Sequence, residues 1–118
     1  MNDDQRRATT EALFRDVNER IAESAQDFDP GRTEFVCECA DPSCTHRVPA
    51  SLLEYEEVRA DSTTFLVVPG HEQGDIERIV SDRGRFRIVE KVQAVVRRTV
   101  ERLDPRRSPR QANPGQPY

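Results

Sequence analysis

The stretch Phe35-Val36-Cys37-Glu38-Cys39-Ala40-Asp41-Pro42-Ser43-Cys44-Thr45-His46-Arg47-Val48 holds all three cysteines of the chain and one of its two histidines. It reads as two short apolar arms around a turn-forming centre, Ala40-Asp41-Pro42-Ser43. Side chains alternate faces along a strand, so Cys37 and Cys39 share one face, and Cys44 and His46 repeat that relation on the returning arm. Pairing of the arms through the Asp-Pro turn brings three sulfurs and an imidazole together. That is a soft N/S donor set of the kind tetrahedral zinc prefers. The expectation is a metal-binding β-hairpin.

The spacing Cys-x-Cys-x4-Cys-x-His is not that of paired Cys-x2-Cys knuckles, but every thiol of the chain falls within eight positions. The alternative, cysteines packed as small hydrophobes, is opposed by the charged and turn residues between them, which argue against deep burial. The residues leave the fourth ligand open. His46 is close and on the face of Cys44. His71 lies in Pro69-Gly70-His71-Glu72, where Gly70 frees the backbone to aim the imidazole, and a distant ligand would close a long loop across a thin core.

Three thiolates and one imidazole make a closed site, which signals structure rather than catalysis. A catalytic zinc needs an open position and a base, for which Glu72 is the available group. Neither His-Glu-x-x-His nor the deaminase pattern is present. Nor is there a Gly-x-Gly-x-x-Gly, a P-loop or a nucleophile elbow. The usual iron–sulfur spacings do not fit. Redox sensing by the thiols is the lesser alternative.

The chain has 118 residues, enough for one ordinary domain. Only 35% of it is hydrophobic and 34% is charged, with a mean hydropathy of -0.81, so the core is small and gains from a metal staple. The polar start, without an apolar leader, and the lack of any long apolar run point to a cytoplasmic protein with no membrane association. In that compartment clustered cysteines are reduced and ligating. The net charge of -4 hides a split: Met1–Asp82 carries 19 acidic and 8 basic residues, Arg83–Tyr118 carries 3 acidic and 10 basic. A basic C-terminal face or arm follows.

Outward from the hairpin, Leu13, Val17 and Ile21 recur every fourth residue, flanked by Phe14 and Ala25. This predicts a helix from Thr9 to about Phe28 with that stripe covering the core, stopped by Asp29-Pro30-Gly31. Ser51 and Glu54 have capping-box spacing and open a short helix ending near Ala60. Thr63–Pro69 suits a buried strand. Ile76–Ser81, whose alternation is imperfect, and Phe86–Val92 form a hairpin with Gly84 at its tip. Val95, Val96, Val100 and Leu103 then mark a last helix closed by Asp104-Pro105. The fold class is a small single α+β domain over residues 9–104, with a flexible N-terminus at 1–8 and a disordered basic tail at 105–118.

The blocks Phe-Val-Cys-Glu-Cys with Cys44, Glu-Tyr-Glu-x-Val-Arg (Glu54–Arg59), Phe-Leu-Val-x-Pro-Gly-His-Glu (Phe65–Glu72) and Val-Glu-Lys (Val89–Lys91) resemble a family of small uncharacterised bacterial proteins with no assigned activity. The resemblance spans roughly Leu13 to Lys91, and Pro-Gly-His-Glu is its most distinctive block. It implies that His71 joins Cys37, Cys39 and Cys44 in the site, since His46 has no place in that motif.

The functional expectation is a non-enzymatic zinc-binding module with a structural Cys3His site, regulatory or protein-interacting, with an unidentified protein partner. The alternative is nucleic-acid binding through Arg97, Arg98 and Arg102 on the last helix, continued by Arg106, Arg107 and Arg110. A thiol redox sensor or metal-dependent enzyme comes third.

Overall fold

The first helix, α1 (Asp3–Ala25), starts well ahead of Thr9 in the structure, a computed structural model that describes residues 1–26 and 31–107. Asn2 caps it: its side chain accepts the Gln5 N–H at 2.8 Å, and the Gln5 side chain accepts the Asn2 N–H at 3.1 Å. This reciprocal box satisfies two otherwise orphaned donors and nucleates the helix early. Arg7 then ties it to the loop ahead of the second sheet's edge strand, through Gln73 at 2.6 Å and Asp75 at 2.9 Å. Residues 3–8 are therefore part of the helix, and the expected flexible leader is corrected. The expected stop at Asp29-Pro30 lies outside the described residues.

The buried face of α1 is not the large-apolar stripe. Leu13 is 60% exposed and Val17 43%. The face turned inward carries Ala8, Ala12, Ala22 and Ala25 with Glu11, Arg15 and Asn18. Small side chains let the helix axis come close to the rest of the chain, and the three polar residues reach partners that an aliphatic stripe would leave unpaired. The 3.6-residue period holds; Leu13 and Val17 of the expected stripe face outward, while Ile21 and Ala25 at its far end pack on the core.

Next in the described chain come β1 (Thr33–Val36) and β2 (Arg47–Ala50), antiparallel with Phe35 opposite Val48. Next is α2 (Leu52–Val58), capped by the expected Ser51/Glu54 box at 2.9 and 3.0 Å. A second antiparallel sheet, in the order β3-β5-β4, is built from β3 (Thr64–Val67), β4 (Glu77–Asp82) and β5 (Arg87–Lys91), and α3 (Ala94–Arg102) closes the domain. The imperfect alternation of Ile76–Ser81 has a structural cause. Ile79 faces Val89 but Ser81 faces Ile88, so Val80 is an extra residue in a β-bulge.

The two faces of this sheet carry two halves of the core. Phe65, Val67 and Val89 pack with Ala8, Val96 and Val100 of the helices, and with Cys37 and Cys39. Leu66 and Ile88 point the other way, onto Phe35, Tyr55 and Val58. Alternation along β3 thus divides its residues between a cluster shared with α3 and the ligand cysteines and a cluster shared with β1, β2 and α2. Phe35 and Tyr55 stack with centroids 4.6 Å apart, and the Tyr55 hydroxyl donates to Glu19 of α1 at 2.7 Å. The chain is an α+β domain of the expected kind. No helix among the described residues is long and apolar enough to cross a membrane.

Candidate metal centre

The ladder between β1 and β2 stops at Val36 and Arg47, and the ligand-bearing residues lie just beyond it. The Cys37 N–H donates to the His46 carbonyl at 3.1 Å, extending the pairing by one step. At the tip, the Cys44 N–H donates to the Asp41 carbonyl at 3.0 Å, with Pro42 in the second position of the turn. The Asp41 carboxylate accepts the Ser43 N–H at 2.9 Å and its hydroxyl at 2.7 Å. Proline presets φ and aspartate mimics a backbone turn, so the sequence Asp-Pro-Ser-Cys returns the chain here and delivers Cys44.

A third segment brings the imidazole. Val68-Pro69-Gly70-His71 is a turn closed by the His71 N–H to the Val68 carbonyl at 2.9 Å, with φ of +95° at Gly70. Proline at the second position and a positive φ at the third describe a type II turn, and only glycine adopts that φ without strain. Glu72 fastens the turn by accepting the Gly70 N–H at 3.0 Å and pairing with Arg87 at 2.9 Å. Each residue of Pro-Gly-His-Glu thereby has a distinct task.

Sγ of Cys37, Cys39 and Cys44 and a nitrogen of His71 all lie within 4.8 Å of one another. Nδ1 of His71 is 3.6 Å from both Cys37 Sγ and Cys44 Sγ. With Zn–S bonds of about 2.3 Å and a Zn–N bond of about 2.0 Å, a tetrahedral ion separates sulfur from nitrogen by roughly 3.5 Å. The observed edges match that separation. The donor set fits a thiophilic divalent ion.

The Cys37 sulfur also accepts a backbone hydrogen bond, from the Val68 N–H at 3.2 Å. Such donors stabilise thiolates and orient them, as outer partners do at metal sites. The thiols share charge unequally. A hydrogen bond from Cys37 lowers the Cys39 pKa, to about 5. The same contact, with burial, pushes the Cys37 thiol up. One thiolate is thus favoured even before a cation is present, and a cation would draw off the remaining protons.

Cys37 and Cys39 are fully buried, and so is Glu38 between them, against the expectation that a charged neighbour keeps this segment near the surface. The reason is complete pairing. One Glu38 oxygen accepts the Leu66 N–H at 2.9 Å, the other accepts from Asn18 Nδ2 at 2.8 Å, and the Glu38 N–H donates to the Leu66 carbonyl at 2.7 Å. Burial still raises its carboxyl pKa, with those hydrogen bonds opposing. Asn18 and Glu38 were not singled out in the sequence. The regular alanines of α1, bracketing Asn18, were the available signal.

Of the five residues proposed as ligands, the structure brings together Cys37, Cys39, Cys44 and His71. His46 stays outside, exposed, its ring centroid 4.7 Å from that of His71. A cleft of about 270 Å³ lined by Cys39, Asp41, His71, Glu72 and Gln73 opens beside the cluster. A larger groove of about 510 Å³ between α1 and β1 offers neither thiol nor imidazole.

The arginines proposed for nucleic acid do not form one free patch. Arg97 donates to the Lys91 carbonyl at 2.9 Å, and Arg106 is held by Glu19 and Glu56 at 2.5 and 2.6 Å. Arg106 therefore belongs to the folded domain, which extends past the expected boundary at residue 104. Arg98, Arg102 and Arg107 are exposed; Arg110 and the rest of the expected tail from residue 108 lie outside the described residues. No protein-family profile, curated protein or solved structure matches the chain.

Proposed function

We propose that the protein is a non-enzymatic zinc-binding module in which Cys37, Cys39, Cys44 and His71 hold one ion that staples the hairpin to the second sheet. The carrying observation is the pair of 3.6 Å sulfur–nitrogen edges in a cluster drawn from two distant segments. Four protein donors fill a tetrahedral ion, which leaves no position for a reacting water. That favours a structural over a catalytic role. The module's task is regulatory, through contact with another protein. Outward-facing Leu13 and Val17 favour a protein over a polyanion as the contact. Arg106, bound to two carboxylates, weighs against nucleic acid. Membership of the small bacterial family rests on the Pro-Gly-His-Glu block and belongs to the same reading.

Elemental analysis of the untagged protein and of Cys39→Ser tests it. The expected result is one zinc per chain, lost in the variant together with cooperative unfolding. A metal-free protein that unfolds cooperatively would sink the proposal and leave the thiols as a redox element.

A further inference from the structure

We infer that His46 is a transfer ligand: an exposed imidazole that carries metal between solvent and the buried site without being one of its resident donors. The inference rests on the reading of the cluster as a metal site. A hydrated ion cannot drop directly among Cys37 and Cys39, because both sulfurs are buried and the ion must exchange its waters for protein donors in steps. Only Cys44 and His71 are partly exposed within the set.

His46 stands where the first step would occur. It follows Cys44 by two residues on the same arm, is exposed, and places its ring against that of His71, centroids 4.7 Å apart and planes tilted by 42°. Its backbone is held at the carbonyl, which accepts the Cys37 N–H at 3.1 Å. Its side chain makes no hydrogen bond among the described residues. An exposed imidazole whose ring lies 4.7 Å from that of a resident ligand suits temporary coordination.

The ion is captured by His46 and by Cys44, whose thiol proton leaves to solvent together with the displaced waters. Cys37 and Cys39 then bind, their protons leaving to solvent, while the His71 imidazole replaces that of His46. One neutral nitrogen donor is exchanged for another, so the coordination number and net charge are unchanged in that last step. Release retraces the same path.

A ligand used only in transit changes association and dissociation rates by the same factor and leaves the affinity alone. The experiment measures Zn2+ uptake by the metal-free full-length chain and its release to a chromophoric chelator. Wild type, His46→Ala and His71→Ala are compared. The expected result for His46→Ala is that both rates fall by the same factor while the affinity is unchanged. His71→Ala should weaken affinity instead. Unchanged rates in His46→Ala make that residue a bystander, and weakened affinity makes it a resident ligand; either overturns the inference while the metal site stands. A wild-type chain that takes up no zinc overturns both.

Discussion

Asn18 of α1 is paired with Val36 of β1 as though it were a neighbouring strand. Its Nδ2 donates to the Val36 carbonyl at 2.8 Å, and its Oδ1 accepts the Val36 N–H at 2.8 Å. The same Nδ2 reaches Glu38. One side chain therefore completes the backbone pairing of the segment that carries the first two sulfurs, and fixes the height of α1 over it.

Asn18→Ala should destabilise the domain by about 3 kcal/mol, because it strands a half-buried N–H and carbonyl and one buried carboxylate oxygen. It should also weaken metal affinity, since Cys37 and Cys39 flank the loosened Glu38. Asn18→Asp should be worse, setting a second carboxylate against Glu38. Chemical denaturation with and without zinc measures both effects. An alanine variant of unchanged stability would mean the pairing is replaced by water.

What the sequence made legible followed from local rules. The Ser51/Glu54 box, the Asp-Pro turn and Pro69-Gly70 each act over three or four residues, and each appears where expected. The phase of α1 did not follow, because burial of Glu11, Arg15 and Asn18 depends on partners far along the chain: Lys91, the Ser62 and Val100 carbonyls, and Val36. Hydrophobicity ranks these residues as surface. Only the tertiary pairing turns them inward. The Cys-x-Cys spacing marked the site, but the fourth donor arrives through a turn whose position no local pattern dictates.

The phase of α1 can be tested by substitution. Leu13→Lys, which would wreck a core stripe, should change stability by no more than about 0.5 kcal/mol. Ala12→Leu, conservative in hydrophobicity, should cost about 1–3 kcal/mol by overpacking the face that meets the core. Reversal of this order in thermal denaturation would restore the stripe as the buried face.

Gly70 offers a test of the turn alone. Beyond Gly70 and its two chain neighbours no atom lies within 4 Å of the position a Cβ would take, so a side chain there meets space and the cost of Gly70→Ala comes from φ of +95°. That strain is about 1–2 kcal/mol. Because the turn aims His71, part of the strain should appear as a loss of metal affinity approaching ten-fold. Competition against a chelator reads it directly. Equal affinity with lowered stability would show that the turn relaxes without moving the imidazole.

Metal removal has a size set by mass action. At free zinc about a thousand-fold above the dissociation constant, binding to the folded chain alone adds about 4 kcal/mol. For a domain of this length that is roughly 15 °C in Tm. A chelator should lower Tm by that order, and the shift should grow with zinc concentration. A Tm indifferent to the chelator would separate the cluster from stability.

A second group of fully buried charges lies apart from the metal centre and carries its own pH dependence. Lys91 is enclosed by Glu11 of α1 at 2.5 Å and by Glu77 of β4, with its ammonium 4.6 Å from the centre of the Phe65 ring. Two carboxylates share one cation, so one of them is poorly compensated. Burial raises the Glu11 carboxyl from its ordinary 4.5 to about 7, Lys91 opposing and Glu77 adding. Between those values the folded chain keeps a proton that the unfolded chain has released, so stability falls as pH rises through that window. Glu11→Gln removes the titration. The stability of wild type relative to Glu11→Gln should therefore fall by roughly 3 kcal/mol from pH 4.5 to above 7, and stay level beyond. Lys91→Met should cost about 3–5 kcal/mol where both carboxylates are ionised, and less at pH 5, where Glu11 is protonated. Urea denaturation at fixed zinc loading across pH 4.5 to 8 would measure each difference. A wild-type-to-Gln difference that does not move with pH would mean that Lys91 keeps Glu11 ionised throughout, with its attraction outweighing the burial of the pair.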